Sequence, residues 1–247
     1  MATYVLVHGG GHGGWCYQKV TRRLQAAGHT VYAPTLTGLG ERSHLRSPAI
    51  DLDTHIHDVV SMLHHEDLHD VILVGHSYGG MVITGIADRA TDRIGRLVYL
   101  DAANPVNGQS LVDVAGPIIL ITREHATVED GVELVLHPAP EAGLFYGVTD
   151  PDDLAWMADR LTAHPWPCFE QKLVLANEDE LWALPRYSIV CTSTLETRDR
   201  ALMDSYRQAG RLWDIDTGHD LMITEPQWVA DVLEEIAADG ATATDIG

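Results

Sequence analysis

Cysteine, basic residues and long apolar runs are all scarce in this chain of 247 residues. The three cysteines, Cys16, Cys168 and Cys191, are odd in number and widely spaced, which argues against a disulfide or zinc framework and indicates reduced thiols. No apolar run approaches the roughly 18 residues of a membrane span, and the first residues lack the basic stretch of a signal peptide. We therefore expect a cytoplasmic protein.

Positive charge is also in short supply, because 16 Lys and Arg residues face 36 Asp and Glu residues, giving a formal net charge of −20. This charge repels phosphate backbones and anionic lipids, so binding to nucleic acid or to a membrane surface is disfavoured. Hydrophobic residues make up 45% of the chain, as in an ordinary globular domain with one sizeable core. A homodimer is compatible with these features but is not required by them.

Short apolar runs alternate with helical patterns along most of the chain. We predict strands at 3–8, 30–33, 71–74, 96–100, 188–191 and 211–213, with helices at about 16–27, 53–66, 81–89 and 200–208 and a last helix near the C-terminus. Such alternation is typical of an α/β fold with an open, mostly parallel sheet and helices on both faces.

The segment 104–185 interrupts this alternation. It is strongly acidic, contains several prolines, and shows no clear succession of strands and helices. Long insertions between core strands commonly cover a site at the strand ends, so we predict a helical cap here, with the core formed by 1–103 and 186–247. Trp156, Trp166 and Trp182 lie in the cap, where they either line an aromatic-binding pocket or, as we favour, pack within it.

The clearest chemical motif is Gly75-His76-Ser77-Tyr78-Gly79, which has the form G-x-S-x-G. It directly follows a predicted strand and directly precedes a predicted helix. In that context the turn is so sharp that a β-carbon at either glycine would collide with neighbouring backbone, and the serine hydroxyl is exposed at the carboxyl end of the sheet. We therefore predict that Ser77 is a nucleophile.

A second motif, His8-Gly9-Gly10-Gly11, ends the first predicted strand. Acyl transfer requires backbone N–H groups directed at the developing oxyanion, and a glycine run lets the main chain approach a substrate closely. In the strand-turn-helix layout the two donors would be the amides of Gly10 and Tyr78.

One of the fourteen histidines stands apart from the rest, most of which we expect to be exposed to solvent. His219 lies between the last predicted strand and the last helix, where a general base would complete the chain order nucleophile, acid, histidine.

A competing metal motif is present, since His65-Glu66-Asp67-Leu68-His69 fits the H-E-x-x-H pattern of zinc proteases. That pattern requires both histidines on one face of a continuous helix. Because a strand begins at Val71, the helix must end near Glu66, and the two imidazoles would diverge. We expect no metal site here.

Several stretches together resemble the α/β-hydrolase superfamily, and within it the branch of plant methylesterases, hydroxynitrile lyases and bacterial esterase relatives. The resemblance rests on residues 5–15, 36–42, 73–80 and 218–220, and it covers nearly the whole chain, most weakly in the cap. It implies the α/β-hydrolase fold, a Ser-His-acid triad, no cofactor and an apolar pocket between core and cap.

Two positions depart from that branch. Its hydroxynitrile lyases carry Thr at the position of Gly10 with Lys directly after the catalytic histidine, or Asn at the first position, whereas this chain has Gly10 and Asp220. Ester hydrolysis is therefore favoured over cyanohydrin cleavage.

The triad acid is the second departure, because Thr194 occupies the place where the family has Asp. We favour Glu196 in a lengthened loop as the acid. Asp101, at the end of another core strand, and Asp199 are the alternatives, although Asp199 is well placed merely to cap a helix.

The leading hypothesis is a serine esterase that cleaves a methyl ester or lactone of an apolar or aromatic small molecule, with Ser77, His219 and Glu196 as its triad. One alternative is a lyase or cyclase of the hydroxynitrile lyase type that uses the same pocket. A second is a ligand-binding protein with the hydrolase shape and little turnover.

Overall fold

The computed structural model describes residues 1–139 and 141–239, so Pro140 and the predicted core residues 240–247 lie outside the described part. The strands are β1 (Thr3–Val7), β2 (Thr30–Tyr32), β3 (Val71–His76), β4 (Ile94–Leu100), β5 (Thr127–Glu129), β6 (Val132–Val135), β7 (His164–Pro165), β8 (Arg186–Cys191) and β9 (Leu212–Ile215). Six of them form one parallel sheet in the order β2-β1-β3-β4-β8-β9.

Helices connect and cover these strands. They are α1 (Gln18–Ala26), α2 (Leu52–His65), α3 (Gly79–Arg89), α4 (Leu111–Arg123), α5 (Ala142–Phe145), α6 (Pro151–Ala158), α7 (Pro167–Glu170), α8 (Glu178–Ala183), α9 (Thr192–Leu195), α10 (Arg200–Gln208), α11 (Leu221–Thr224) and α12 (Pro226–Asp239). Among the described residues, none of these helices combines the length and apolar character that crossing a bilayer requires.

The two faces of the main sheet are buried in separate apolar clusters. Val5 and Val7 of β1 face the cluster that includes α2 and α3, whereas Tyr4 and Leu6 face the one that includes α1 and α12. Adjacent strand residues point to opposite faces, so a strand covered on both sides must be apolar throughout. This explains the continuous run Val71–Val74 and confirms the predicted α/β fold with a parallel sheet.

All six strands predicted from the sequence are present, each ending within two residues of its predicted limits. The insertion between β4 and β8 holds α4 to α8, as the prediction of a helical segment required. It also contains a small antiparallel sheet, β5-β6-β7, that we did not predict. Its strands have only two to four residues, too few for a period of two to be recognised.

Candidate active site

Ser77 lies at the turn between β3 and α3 with a backbone φ of +54°. This left-handed conformation costs a residue with a β-carbon about 1–3 kcal/mol and persists only where the surroundings enforce it. A β-carbon added to Gly75 would lie 2.5 Å from the Gly79 carbonyl oxygen, and one added to Gly79 would lie 2.6 Å from that of Val7. Both glycines of the motif are therefore required by close backbone contact.

His219 lies at the same edge of the sheet, in the loop between β9 and α11. Its Nδ1 is 2.5 Å from Oδ2 of Asp101, which directly follows β4. The His219 side chain is 26% exposed and that of Asp101 is fully buried. Because a carboxylate can only accept, Nδ1 carries the proton in this contact and Nε2 is left as the basic nitrogen.

The Asp101 carboxylate has further partners on its other oxygen. Oδ1 accepts hydrogen bonds from the Thr194 hydroxyl at 2.5 Å, from Arg198 Nη2 at 2.7 Å and from the Cys191 amide at 3.2 Å. Burial alone raises the pKa of this carboxyl, but the hydrogen bond and charge of His219 and the charge of Arg198 outweigh it and hold the pKa below its usual range. Asp101 is thus a fixed, ionised partner of the imidazole.

Glu196, the acid favoured from the sequence, does not contact His219 in the described part of the chain. Residues 192–195 form α9 instead of the expected lengthened loop, and the Glu196 side chain that follows is exposed. Asp199 is exposed as well and caps α10 by accepting from the Leu202 amide at 2.8 Å. Of the three carboxylates considered, the structure brings only Asp101 to the histidine.

Three contacts hold the His219 loop. His76 Nε2 donates to the His219 carbonyl at 2.9 Å, the Cys191 thiol donates to the Gly218 carbonyl at 3.0 Å, and the Asp220 amide donates to the Tyr146 carbonyl at 3.0 Å. Within residues 1–139 and 141–239, no hydrogen bond joins the Ser77 hydroxyl to His219. Catalytic hydrogen bonds are often loose without substrate and tighten in the complex.

The two amides predicted to bind an oxyanion belong to Gly10 and Tyr78. Neither amide donates a backbone hydrogen bond to another described residue. A β-carbon at Gly10 would lie 2.9 Å from both Leu136 Cδ1 and Phe169 Cζ, so the glycine is overlaid by apolar side chains from the insertion. A β-carbon added to Gly9 would lie 2.8 Å from the β-carbon of Ser77, so the glycine run lies beside the serine.

Asp220 pairs with a second, fully buried histidine. Its Oδ2 lies 2.8 Å from His12 Nε2, and His12 Nδ1 donates to the Gly10 carbonyl at 2.8 Å. Burial opposes the charge on both groups, yet their attraction outweighs it, raising the pKa of His12 and lowering that of Asp220. The pair is thus ionic and links the His219 loop to the glycine run.

One group of side chains has the composition of a metal site, because ligand atoms of His55, His164 and Cys168 all lie within 4.8 Å of one another. Both nitrogens of His55 are engaged, by the Tyr78 hydroxyl and by the Thr37 carbonyl, each at 2.9 Å. His164 Nδ1 accepts from the Gly11 amide at 3.2 Å, which uses the one lone pair of a neutral imidazole. The group therefore does not present three free ligands.

The H-E-x-x-H stretch at residues 65–69 is split by the fold. His65 is the last residue of α2, whereas His69 lies beyond the helix end, next to β3. Both side chains are exposed. The two imidazoles therefore do not share a helix face, which was the requirement of the zinc-protease pattern.

The three cap tryptophans all have packing partners. Trp166 is fully buried and its indole N–H donates to Glu170, while the half-buried Trp182 donates to Glu178. Trp156 packs edge-on against the ring of Trp15, with the ring centres 5.1 Å apart. A packing role was the interpretation that we favoured for these residues.

A pH dependence of stability follows from the environment of Asp101. The folded pKa is below the unfolded value of about 3.9, so the ionised group stabilises the fold above that pH and loses its contribution as the pH falls through the folded pKa. The free energy of unfolding should therefore differ most between wild type and Asp101→Asn above about pH 4 and converge in stronger acid. Urea titrations from pH 3 to pH 7 measure this difference in unfolding free energy. A difference that stays constant over this range would contradict a lowered pKa for Asp101.

Sequence reasoning missed the histidines around this site. We expected most histidines to be exposed, but five are fully buried, namely His8, His12, His55, His76 and His164. Burial lowers the pKa of His8 and that of His76 to about 3, so both are neutral at ordinary pH. His8, His12 and His76 lie in stretches recognised from the sequence, whereas His55 and His164 belong to none.

Comparison with known proteins agrees with the fold. The profile of the alpha/beta hydrolase family matches residues 4–232. A carbendazim hydrolyzing esterase from Nocardioides sp. is 38% identical and aligns over 94% of this chain and 98% of its own length. A pFDCC methylesterase from Arabidopsis thaliana is 30% identical over 83% of this chain and 79% of its own.

Solved structures show the same architecture. An extracellular alpha/beta-hydrolase from a Paenibacillus species superposes with a TM-score of 0.78 at 23% identity, covering 95% of this chain and 98% of that one.

The esterase relatives confirm the prediction that the chain is a carboxylic ester hydrolase. With the family profile spanning nearly all of the described sequence, the chain belongs to the alpha/beta hydrolase family.

Proposed function

We propose that this protein is a serine esterase that cleaves small carboxylic esters through an acyl-enzyme, with Ser77 as nucleophile, His219 as general base and Asp101 as the triad acid. The observation that carries the proposal is the contact of 2.5 Å between His219 Nδ1 and Asp101, at the strand edge where Ser77 occupies a left-handed turn. A serine, a histidine and a buried carboxylate bonded to the histidine are the groups that carry out acyl transfer in a catalytic triad.

In the proposed mechanism the Ser77 hydroxyl attacks the ester carbonyl and passes its proton to His219 Nε2. The resulting oxyanion is bound by the Gly10 and Tyr78 amides. His219 then gives the proton to the departing alcohol, leaving the acyl group on the serine oxygen. A water molecule then attacks the acyl-enzyme, with His219 again as base, and the carboxylic acid is released from Ser77.

Asp101 replaces Glu196 in this proposal for an electrostatic reason. A positive imidazolium forms in each transition state, and the partner of Nδ1 must be ionised and held in place to stabilise it. Asp101 has a lowered pKa and is held by Thr194 and Arg198, whereas Glu196 faces solvent. Thr194, which stands at the family's usual acid position, therefore helps to orient the acid.

The proposed substrate is a methyl ester or a comparable small ester of an apolar or aromatic molecule. Apolar side chains of Leu136 and Phe169 overlie the oxyanion glycine Gly10, so an acyl group bound there meets hydrocarbon. The relatives are named for carbendazim and for the pFDCC methyl ester, which suggests the same class for this chain. With a net charge of −20, an anionic substrate is disfavoured.

The setting we propose is cytoplasmic, because all three cysteines are free and buried. We propose no nucleic-acid or membrane partner, in keeping with the strongly acidic composition. A homodimer remains compatible with the sequence, and the proposed reaction does not depend on it.

Cyanohydrin cleavage is the second candidate, and residue 220 argues against it. Asp220 stands where a lyase of this branch has lysine, and its carboxylate is paired with His12, so no free cation is available there to receive cyanide. Threonine at Gly10 would also meet Leu136 and Phe169 at 2.9 Å. Assays with methyl mandelate and mandelonitrile under the same conditions decide between the two.

We expect methanol release from methyl mandelate or a related aryl methyl ester and no cyanide above the spontaneous rate from mandelonitrile. Enzyme-dependent cyanide release without ester turnover would show that the protein is a lyase and not an esterase. Tight binding of esters without turnover would favour the ligand-binding alternative instead.

A further inference from the structure

The glycine run that carries one proposed oxyanion donor has little conformational preference of its own. Gly9, Gly10 and Gly11 are consecutive, and glycine visits regions of φ and ψ that other residues avoid. An oxyanion hole works only if its donors are already directed at the developing charge. The direction of the Gly10 amide must therefore be imposed by neighbouring groups.

Three buried histidines bind this backbone at two successive peptide groups. His8 Nδ1 donates to the Gly9 carbonyl at 2.8 Å, and His12 Nδ1 donates to the Gly10 carbonyl at 2.8 Å. His164 Nδ1 accepts from the Gly11 amide at 3.2 Å. Since a peptide group is planar and trans, fixing its carbonyl also fixes the opposite N–H.

These contacts restrain both sides of Gly10. The peptide that carries the Gly10 amide is held by His8, and the next peptide is held at its oxygen by His12 and at its nitrogen by His164. Rotation about the two backbone bonds of Gly10 would break at least one of these hydrogen bonds. Each lies in a fully buried setting, where a lost hydrogen bond is costly.

His164 differs from the other two because it comes from β7, in the insertion. Its ring stacks on Phe169 with centres 4.3 Å apart and meets the Tyr78 ring edge-on at 5.0 Å. Burial lowers its pKa well below the usual value, which keeps the imidazole neutral with a lone pair on one nitrogen. Its Nε2 has no hydrogen-bond partner among the described residues, so the Gly11 contact selects the tautomer.

We propose that His164 is a positioning residue through which the insertion sets the direction of the Gly10 amide in the oxyanion hole. The inference rests on the proposed function and adds a second role for the insertion, beyond covering the substrate. His164 touches no reacting atom, and its effect on the reaction passes through the Gly10–Gly11 peptide.

The test compares two substitutions at this position. His164→Asn keeps a hydrogen-bond acceptor near the place of Nδ1, whereas His164→Leu keeps apolar bulk and removes the acceptor. Tyr4→Phe serves as the control, because it deletes a different buried hydrogen bond, to the Leu233 carbonyl, far along the chain on α12. Kinetics with an activated ester are measured together with inhibition by a trifluoromethyl ketone, which forms an oxyanion adduct with a serine nucleophile.

We expect His164→Leu to lower kcat about 10- to 100-fold, below the effect of deleting an oxyanion donor outright, with KM within about threefold. In His164→Leu the affinity for the trifluoromethyl ketone should fall in proportion to kcat/KM. His164→Asn should recover most of the kcat and most of the inhibitor affinity, and Tyr4→Phe should resemble wild type in both. A His164→Leu variant with unchanged kcat, or with only KM and melting temperature altered, would overturn the inference. If wild type itself turns over no ester, the proposed function fails first and the inference fails with it.

A measurement on the unmodified protein covers the case in which both variants misfold. Side-chain ¹⁵N NMR of the histidines distinguishes the two neutral tautomers. The proposal requires His164 to carry its proton on Nε2 and none on Nδ1 throughout the range from pH 6 to pH 8. A proton on Nδ1 is incompatible with the Gly11 contact and would overturn the inference.

Discussion

Replacing Ser77 by alanine is expected to lower ester turnover by about 10⁴-fold or more while the protein stays folded, because no other group can form the acyl-enzyme. Alanine keeps the β-carbon, so the backbone strain at φ +54° is unchanged and no cavity of consequence is opened. Initial rates with p-nitrophenyl acetate, together with circular dichroism and a melting curve, measure both parts of this prediction.

Ser188→Ala is the matched control. Ser188 is buried in β8 of the same sheet, and its hydroxyl has no hydrogen-bond partner in the part of the chain that is described. This variant should hydrolyse the ester like wild type. A Ser77→Ala protein that retains more than a few per cent of the activity would exclude Ser77 as the nucleophile.

Asp101→Asn carries the second large expected effect, a loss of about 10²- to 10⁴-fold in kcat. The amide cannot stabilise the imidazolium as a carboxylate does, and it can present an N–H to Nδ1 and so favour the wrong tautomer of His219. Removing the charge also leaves Arg198 without its carboxylate partner, so the assay temperature must lie well below the melting transition of every variant.

Glu196→Gln and Asp199→Asn are the comparisons that make this result specific. Both side chains are exposed, and asparagine can still cap α10 as Asp199 does. We expect each variant to keep near-normal kcat. If Glu196→Gln collapses and Asp101→Asn does not, the acid is Glu196 and the contact with Asp101 is structural.

The fold could be predicted from the sequence because its signals are local. Five of the six predicted strands are directly followed by glycine, proline or an acidic residue, the exception being the one that ends at Cys191, and the turn at Ser77 is specified by glycines only two residues away on either side. The small sheet β5-β6-β7 was not predicted, because its strands have only two to four residues and β7 pairs with β6 across about thirty residues of intervening chain.

The triad acid could not be assigned from sequence, for a geometric reason. Parallel strands bring their carboxyl ends to one edge, so an acid after β4 and an acid after β8 are both able to reach His219. The choice depends on whether the chain after β8 forms a loop or a helix. It forms α9, which turns Glu196 outward and directs the Thr194 hydroxyl to Asp101.

The role of the buried histidines could not be predicted from the sequence either. His12 and His164 are 152 positions apart, and nothing near either of them indicates that both bind the glycine run. Their role depends on where the insertion folds back over the core, which is a tertiary contact. Local periodicity carries no information about such contacts.

Labelling with a fluorophosphonate, followed by peptide mapping, tests the central claim most directly, since the reagent reacts with an activated serine and stays bound. We predict one equivalent of label per chain, located on Ser77, with ester hydrolysis lost in proportion to its incorporation. Label on another residue, or full activity in a protein that takes up none, would contradict a mechanism in which Ser77 is acylated.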